Sequence, residues 1–153
     1  MAVKPIPDGY HSVTPYLIVR GGAAALAFYK KAFGATELVR MAMPGSDRIG
    51  HAEIKVGDSI IMLADEHPEM GATSPQSIGG TPVGICLYVE DCDTVFGRAV
   101  AGGAKVERPM QDQFYGDRSG TVIDPFGHKW TIATHKEDVT PEEMTRRMAA
   151  MKK

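Results

Sequence analysis

The chain has 153 residues, of which 43% are hydrophobic and 24% charged, and its formal net charge is −2. This size fits one domain built from two small halves that share a core, so we predict a single domain over residues 1–153. The balanced charge gives no electrostatic footprint for nucleic acid or an anionic membrane, and we expect neither as a partner. The N-terminus lacks the apolar run of a secretory leader, and we expect a cytoplasmic protein.

The first half of the chain has the pattern of a strand, a helix and three further strands. After a lead-in rich in Pro and Gly, its predicted elements are a strand at 13–20, a helix at 23–33 and strands at 36–43, 49–56 and 59–64. Gly34 is the expected C-cap of the helix. Gly57 and Asp58 are typical of a tight hairpin turn between the last two strands.

The second half repeats this order after a linker at 65–82, which is rich in Pro, Gly, Ser and Thr. Its predicted elements are a strand at 83–90, a helix at 91–101, a strand at 105–109 and hairpin strands at 121–124 and 129–134. An offset of about 70 positions lays 16–19 onto 86–89, and Arg48, Gly50 and Gly57 onto Arg118, Gly120 and Gly127. Such an internal repeat predicts an α+β fold of two βαβββ modules, at about 13–65 and 83–135.

A capping box begins at Thr140, with Pro141 at the first helical position and Glu143 at the third. It predicts a C-terminal helix at about 140–151. Met144, Met148 and Met151 would form an apolar face on this helix. We expect that face to pack on the body of the protein or on a partner subunit.

The two βαβββ modules, the segment FYKKAFGA and the hairpin DPFGHKW together resemble the vicinal oxygen chelate superfamily. This superfamily contains glyoxalase I, bleomycin resistance proteins and extradiol dioxygenases. The PYL of the first strand and the run from DQFYGDR to DPFGHKW are most similar to its PhnB-like branch. The resemblance implies that helices cover the outside of a cup whose strands line a cavity, and that a homodimer completes each cup.

Alternation along the strands indicates which side chains face that cavity, because successive strand residues point to opposite faces. We expect Trp130 and Ile132 on the core side. The predicted cavity wall consists of Thr14, Tyr16, His51, Glu53, Ile61, Tyr88, Thr121 and Thr131. Tyr115 could close over a bound molecule. Asp117 and Arg118 could anchor its polar groups, or could simply brace their loop.

The resemblance also implies four metal-ligand positions, here Thr14, Ile61 (Met62 if the register slips by one), Gly84 and Thr131. None has the imidazole, thiolate or carboxylate that such metals prefer. We therefore predict no metal and no cofactor in the cup.

Histidine and carboxylate side chains on one strand are the remaining candidates for chemistry. His51 and Glu53 lie two apart and share a face, so they could act as a general base with a partner, or could be a hydrogen-bonded pair at the rim. We expect burial to raise the Glu53 pKa. We predict that His67 and His135 are surface residues and that His128 is a turn residue bonded to nearby backbone.

Three functions remain open from the sequence. The leading prediction is a protein that binds a small, partly aromatic or apolar molecule in a cup that lacks the family metal. One alternative is a lyase, isomerase or dioxygenase-like enzyme that uses Glu53 and His51. The other is a regulatory or partner-binding dimer.

Overall fold

The protein is described here by a computed structural model covering residues 2–151, which contains two four-stranded sheets. The strands of the first sheet are β1 (Tyr16–Val19), β2 (Thr36–Ala42), β3 (Ile49–Val56) and β4 (Ser59–Asp65), in the order β1-β4-β3-β2. Those of the second are β5 (Gly84–Tyr88), β6 (Lys105–Asp112), β7 (Asp117–Ile123) and β8 (Lys129–His135), in the order β5-β8-β7-β6. The predicted domain also includes residues 1, 152 and 153, which lie outside this description.

One helix follows the first strand of each module, and two further helices lie between and after the modules. The helices are α1 (Gly22–Phe33), α2 (Pro75–Ile78), α3 (Cys92–Ala101) and α4 (Pro141–Ala150). In each half the first strand pairs in parallel with the last strand, and the other neighbours are antiparallel. The predicted fold class, two βαβββ modules, is therefore confirmed.

Some boundaries differ from the prediction. Strand β6 continues through Pro109 to Asp112, which pairs with Arg118 at the start of β7. Proline is tolerated there because β6 is an edge strand, where a missing N–H need not interrupt the sheet. The predicted linker contains a 3₁₀ turn at Pro68–Met70 and the short helix α2.

The two modules share one core, in which α1 contacts α3. Tyr29 and Trp130 are fully buried, and their rings lie 5.5 Å apart across the modules. Phe33 of α1 lies 4.6 Å from the same tryptophan ring. The large aromatic side chains at the centre of this core thus come from both modules.

Asp124 connects the two halves at the start of the last hairpin turn. One carboxylate oxygen accepts hydrogen bonds from Tyr29 (2.6 Å) and the Trp130 indole (2.9 Å). The other oxygen accepts from the backbone N–H groups of Phe126 and His128. The His128 ring does not bond to its own turn as predicted, because its Nε2 donates to the carbonyl of Ile18 in β1 (2.8 Å).

Each sheet turns one face to the helices and leaves the other open. Leu17, Ile54 and Leu63 face the core, as do their counterparts in the second sheet. On the open faces Tyr16 is 47% exposed and Tyr88 58% exposed. No helix among residues 2–151 is long and apolar enough to cross a lipid bilayer.

The third strands of the two modules correspond with a sequence offset that is two positions smaller than the offset of 70 between the first strands. Glu53 pairs with Met62 in the first sheet, and the corresponding pair in the second is Thr121 with Thr131. Gly50 is the extra residue of a bulge in β3, because its neighbours His51 and Ile49 pair with the consecutive β2 residues Met41 and Ala42. Gly120 instead lies against Phe96 of α3. The sequence match of these two glycines therefore does not reflect a common position.

Candidate functional site

Four side chains form a hydrogen-bonded chain on the open face of the first sheet. The Tyr16 hydroxyl lies 2.9 Å from His51 Nδ1, and His51 Nε2 lies 2.8 Å from Glu53 Oε2. Tyr10, from the lead-in, donates to the other oxygen of Glu53. The structure thus brings together Tyr16, His51 and Glu53, which were predicted to share the cavity wall, and adds Tyr10, which no sequence pattern indicated.

The pKa of Glu53 is lowered from its usual value, first by the Tyr10 hydrogen bond and then by His51. The expected rise through burial is wrong, because two donors to the charged form outweigh the desolvation. When His51 Nε2 donates to the ionised Glu53, Nδ1 is the ring atom left to accept from the Tyr16 hydroxyl. Burial and the Glu53 charge both raise the Tyr16 pKa, so this phenol stays protonated.

A cavity of about 690 Å³ lies beside this chain and shares Tyr16 with it. The bulge at Gly50 forms part of its wall. Its apolar lining consists of Ile18, Met43, Pro44, Ala64, Met70 and Ala72. Arg48 and His67 also line it. His67 was predicted to be a surface residue, but it forms part of this cavity wall.

Ile61 does not belong to this wall, contrary to the prediction. It pairs with Ile54 on the core side and is only 4% exposed. Met62 takes the open-face position beside Tyr16 and Glu53. Ile61 instead lines a separate groove of about 580 Å³ together with residues of β5 and Trp130.

The open face of the second sheet has a different polar network. Tyr88 donates to Asp117 Oδ2 (2.6 Å), and His135 lies between Asp117 Oδ1 and Asp138 Oδ1 at 2.7 Å from each. The hydrogen bond to Asp117 is the main cause that raises the Tyr88 pKa to about 12. The carboxylates of Asp117 and Asp138 raise the His135 pKa. His135 is exposed, as predicted for a surface residue, and it also belongs to this network.

Thr121, Thr131 and Tyr115, which were also predicted to contact a ligand, belong to the second module. Thr121 and Thr131 bond to each other through their hydroxyl groups (2.9 Å). Tyr115 is 37% exposed, packs edge-on to Phe114, and is close enough to contribute to the raised Tyr88 pKa. Arg118 does not brace Asp117, because its guanidinium bonds to Asp93 and Asp112.

The four positions that the family resemblance assigns to a metal do not fit one. The register places Met62, rather than Ile61, at the fourth-strand position of the first sheet, opposite Tyr16. The others are Thr14, Gly84 and Thr131, and the Thr131 hydroxyl already bonds to Thr121. Within residues 2–151 there is no group of three or more His, Cys, Asp or Glu side chains that could hold a metal ion.

Residues 9–132 match the family model described as the Glyoxalase/Bleomycin resistance protein/Dioxygenase superfamily. The chain belongs to this superfamily. Protein Rv0887c of Mycobacterium tuberculosis is 41% identical over 143 residues, covering 91% of this chain and 83% of that protein.

Two solved structures extend the comparison. TioX from a Micromonospora species is 27% identical, with a TM-score of 0.65, over 82% of this chain and 98% of TioX. The PhnB protein from Bacillus cereus is 17% identical, with a TM-score of 0.63, over 81% of this chain and 99% of PhnB, and shows a shared fold alone. The predicted resemblance to the superfamily, with PhnB among its structural relatives, is thus confirmed.

Proposed function

We propose that this superfamily member binds a small molecule with an aromatic or apolar body on the open face of its first sheet, without the family metal. The observation that carries the proposal is the cavity of about 690 Å³ next to the Tyr16–His51–Glu53 chain. Small-molecule sites typically combine an apolar wall with a few convergent polar groups. Here Ile18 and Met70 supply part of the wall.

Glu53 is the polar group that would fix the orientation of such a ligand. Its lowered pKa keeps it ionised at neutral pH, so it acts as a hydrogen-bond acceptor. Its present partner Tyr10 comes from a lead-in whose side chains are mostly exposed. A ligand hydroxyl or amine could therefore replace the Tyr10 hydroxyl at modest cost, whereas a ligand lacking a donor could not.

We further propose that the protein acts as a cytoplasmic homodimer in which a second copy completes each binding face. Both open faces expose aromatic rings, Tyr16 on one sheet and Tyr88 on the other. Apolar surface of this kind favours burial against a partner. Pairing the first sheet of one copy with the second sheet of the other would cover both rings and enclose the cavity.

The binding proposal is tested with N-phenyl-1-naphthylamine, a neutral aromatic amine with one N–H donor that fluoresces when it enters an apolar site. We expect saturable binding of one molecule per chain, and weaker binding by Tyr16→Ala. Ala24→Ser, on the exposed surface of α1, is the control and should bind as the wild type does. Absence of saturable binding, or equal binding by Tyr16→Ala, would count against the proposed site.

An enzyme that uses Glu53 and His51 is the second candidate function. It is favoured by the sequence of hydrogen bonds on the open face, in which the Glu53 carboxylate bonds to His51 and His51 contacts the protonated phenol of Tyr16. This arrangement suits proton transfer to or from a bound molecule. Mass spectrometry of molecules that co-purify with the protein discriminates the two candidates. A molecule recovered from Glu53→Gln but recovered in altered form from the wild type would favour the enzyme.

A further inference from the structure

We infer that the ligand of the first-sheet cavity carries an anionic group, such as a carboxylate, phosphate or sulfonate, and that Arg48 and His67 bind it. This inference rests on the proposed function and specifies the class of molecule: an apolar or aromatic body with a negatively charged end. The Glu53 chain and the Arg48–His67 pair line parts of one open face.

Arg48 reaches the cavity with its charge uncompensated. Its guanidinium donates to the backbone carbonyl of Glu66, and within residues 2–151 it forms no ion pair with a carboxylate. The Glu66 carboxylate itself is bound by Arg20 and Ser77. A neutral carbonyl fixes the direction of the guanidinium but leaves its positive charge and its other N–H donors for a ligand.

Arg118, in contrast, has its positive charge neutralised by carboxylates. Arg118 bonds to both oxygens of Asp93 and to Asp112. Those two carboxylates raise the Arg118 pKa and occupy its donors. Arg48 has no such partners, so it is better suited than Arg118 to hold an external anion.

His67 adds a second donor to the same cavity. Its Nδ1 atom is buried and makes no hydrogen bond, although Glu69 Oε2 approaches to 3.4 Å without the required alignment. Backbone bonds in both directions between His67 and Ala72 hold this residue in place. Because Nδ1 is shielded from solvent, a ligand oxygen would bind at Nε2, which is not buried and makes no hydrogen bond with another residue of 2–151, when Nε2 carries the proton.

Two carboxylates lie near the proposed anion site, and neither opposes an anion strongly. Glu69, beside His67, is 78% exposed, so water screens its charge. Asp65 lines the cavity, but Oδ1 accepts from the N–H groups of Gly21 and Gly22, and Oδ2 accepts from that of Ile49. These three backbone donors compensate its charge. The rest of the wall around Ile18 and Met43 is apolar and would hold the body of the ligand.

Two fluorescent probes with the same aromatic skeleton test the inference. 1-Anilinonaphthalene-8-sulfonate has a sulfonate that N-phenyl-1-naphthylamine lacks, so the ratio of their dissociation constants isolates the negative charge. We expect the sulfonate to bind at least tenfold more tightly at low salt, and this preference to shrink as ionic strength rises. Arg48→Gln should remove most of the preference, so that the two dissociation constants become similar.

Arg98→Gln is the matched control, because Arg98 is an exposed residue of α3. It should keep the full preference for the sulfonate. If the wild type binds both probes equally, or if Arg48→Gln keeps the preference, the anion inference is wrong while the proposed function stands. If neither probe binds, the inference and the proposed function fail together.

Discussion

The phenol of Tyr29 in α1 donates a 2.6 Å hydrogen bond to Asp124, at the turn between β7 and β8. The same carboxylate oxygen accepts from the Trp130 indole, and all three side chains are buried. We expect Asp124→Asn to lower the free energy of unfolding by about 2–5 kcal/mol, because the amide nitrogen would leave two buried donors without an acceptor. Urea denaturation measures this change.

Tyr29→Phe is the graded comparison for this site. It removes one donor and leaves the acceptor with its other partners, so we expect a loss of only about 1–2 kcal/mol. An Asp124→Asn protein as stable as the wild type would show that this carboxylate does not stabilise the contact between the modules.

Glu53→Gln should affect binding far more than stability. The change removes a charged acceptor for the ligand, so we expect affinity for N-phenyl-1-naphthylamine to fall about tenfold. The free energy of unfolding should change by less than about 1 kcal/mol, because the Glu53 partners Tyr10 and His51 are both partly exposed and can bond to water instead. Trp130→Ala, on the core side of its strand, should cost about 3–5 kcal/mol.

The control for Glu53→Gln is Glu37→Gln on β2, where the carboxylate bonds only to Lys30 and Arg40. That variant should bind the probe with wild-type affinity. Unchanged binding by Glu53→Gln itself would mean that its open-face position has no part in recognition.

The His135 imidazole should titrate above its usual pKa of about 6.5, because Asp117 and Asp138 favour its charged form. A raised pKa in the folded state means that the stabilising contribution is fully present below the unfolded pKa and is lost as pH rises through the folded pKa. Proton NMR of the imidazole resonances measures this value. Asp117→Asn should lower it more than Asp138→Asn does.

Asp58→Asn, in the exposed turn between β3 and β4, serves as the control and should leave the His135 titration unchanged. If Asp117→Asn gave the same His135 pKa as the wild type, the prediction that Asp117 raises this pKa would be wrong.

Protein purified without added metal should contain well under one equivalent of nickel, zinc, iron or manganese per chain. The reason is the chemistry at Thr14, Met62, Gly84 and Thr131, which offer hydroxyl, thioether and no side-chain group instead of imidazole or carboxylate. Elemental analysis by mass spectrometry measures the content. A stoichiometric metal that Glu53→Gln or His51→Ala releases would overturn this prediction.

A homodimer should persist at micromolar concentration in sedimentation experiments, because it would bury the exposed rings of Tyr16 and Tyr88. Tyr88→Asp should weaken association by placing a charge in that contact. Deletion of residues 139–153 should also weaken it if α4, whose Met148 and Met151 are more than half exposed, takes part. A monomer at all concentrations would contradict the dimer.

The sequence predicted the modules because strand alternation, helix caps and the repeat agreed with one another. It failed in the register of β4, where four consecutive apolar residues from Ile60 to Leu63 carry no alternation to distinguish Ile61 from Met62. The bulge at Gly50 was also hidden, because a single extra residue leaves the composition of a strand unchanged.

The contacts of Tyr10, Arg48, Asp117 and His135 were not predictable in the same way. Each depends on a partner from a distant segment, and no periodicity encodes such a pair. The position of Arg48 beside a cavity follows only from the bulge and from the loop that carries His67. The hairpin at Asp124 was predicted, but its role between the modules depends on Tyr29, a residue of a distant helix.

The shared aromatic cluster of Tyr29, Phe33 and Trp130 also governs how the protein unfolds. Separating the modules would expose these rings to water at once, so neither half has an independent core to retain. The repeat therefore behaves as one cooperative unit, and the slowest amide protons of β4 and β8 should exchange through the same global opening. The two halves therefore repeat one topology but are expected to fold and unfold together.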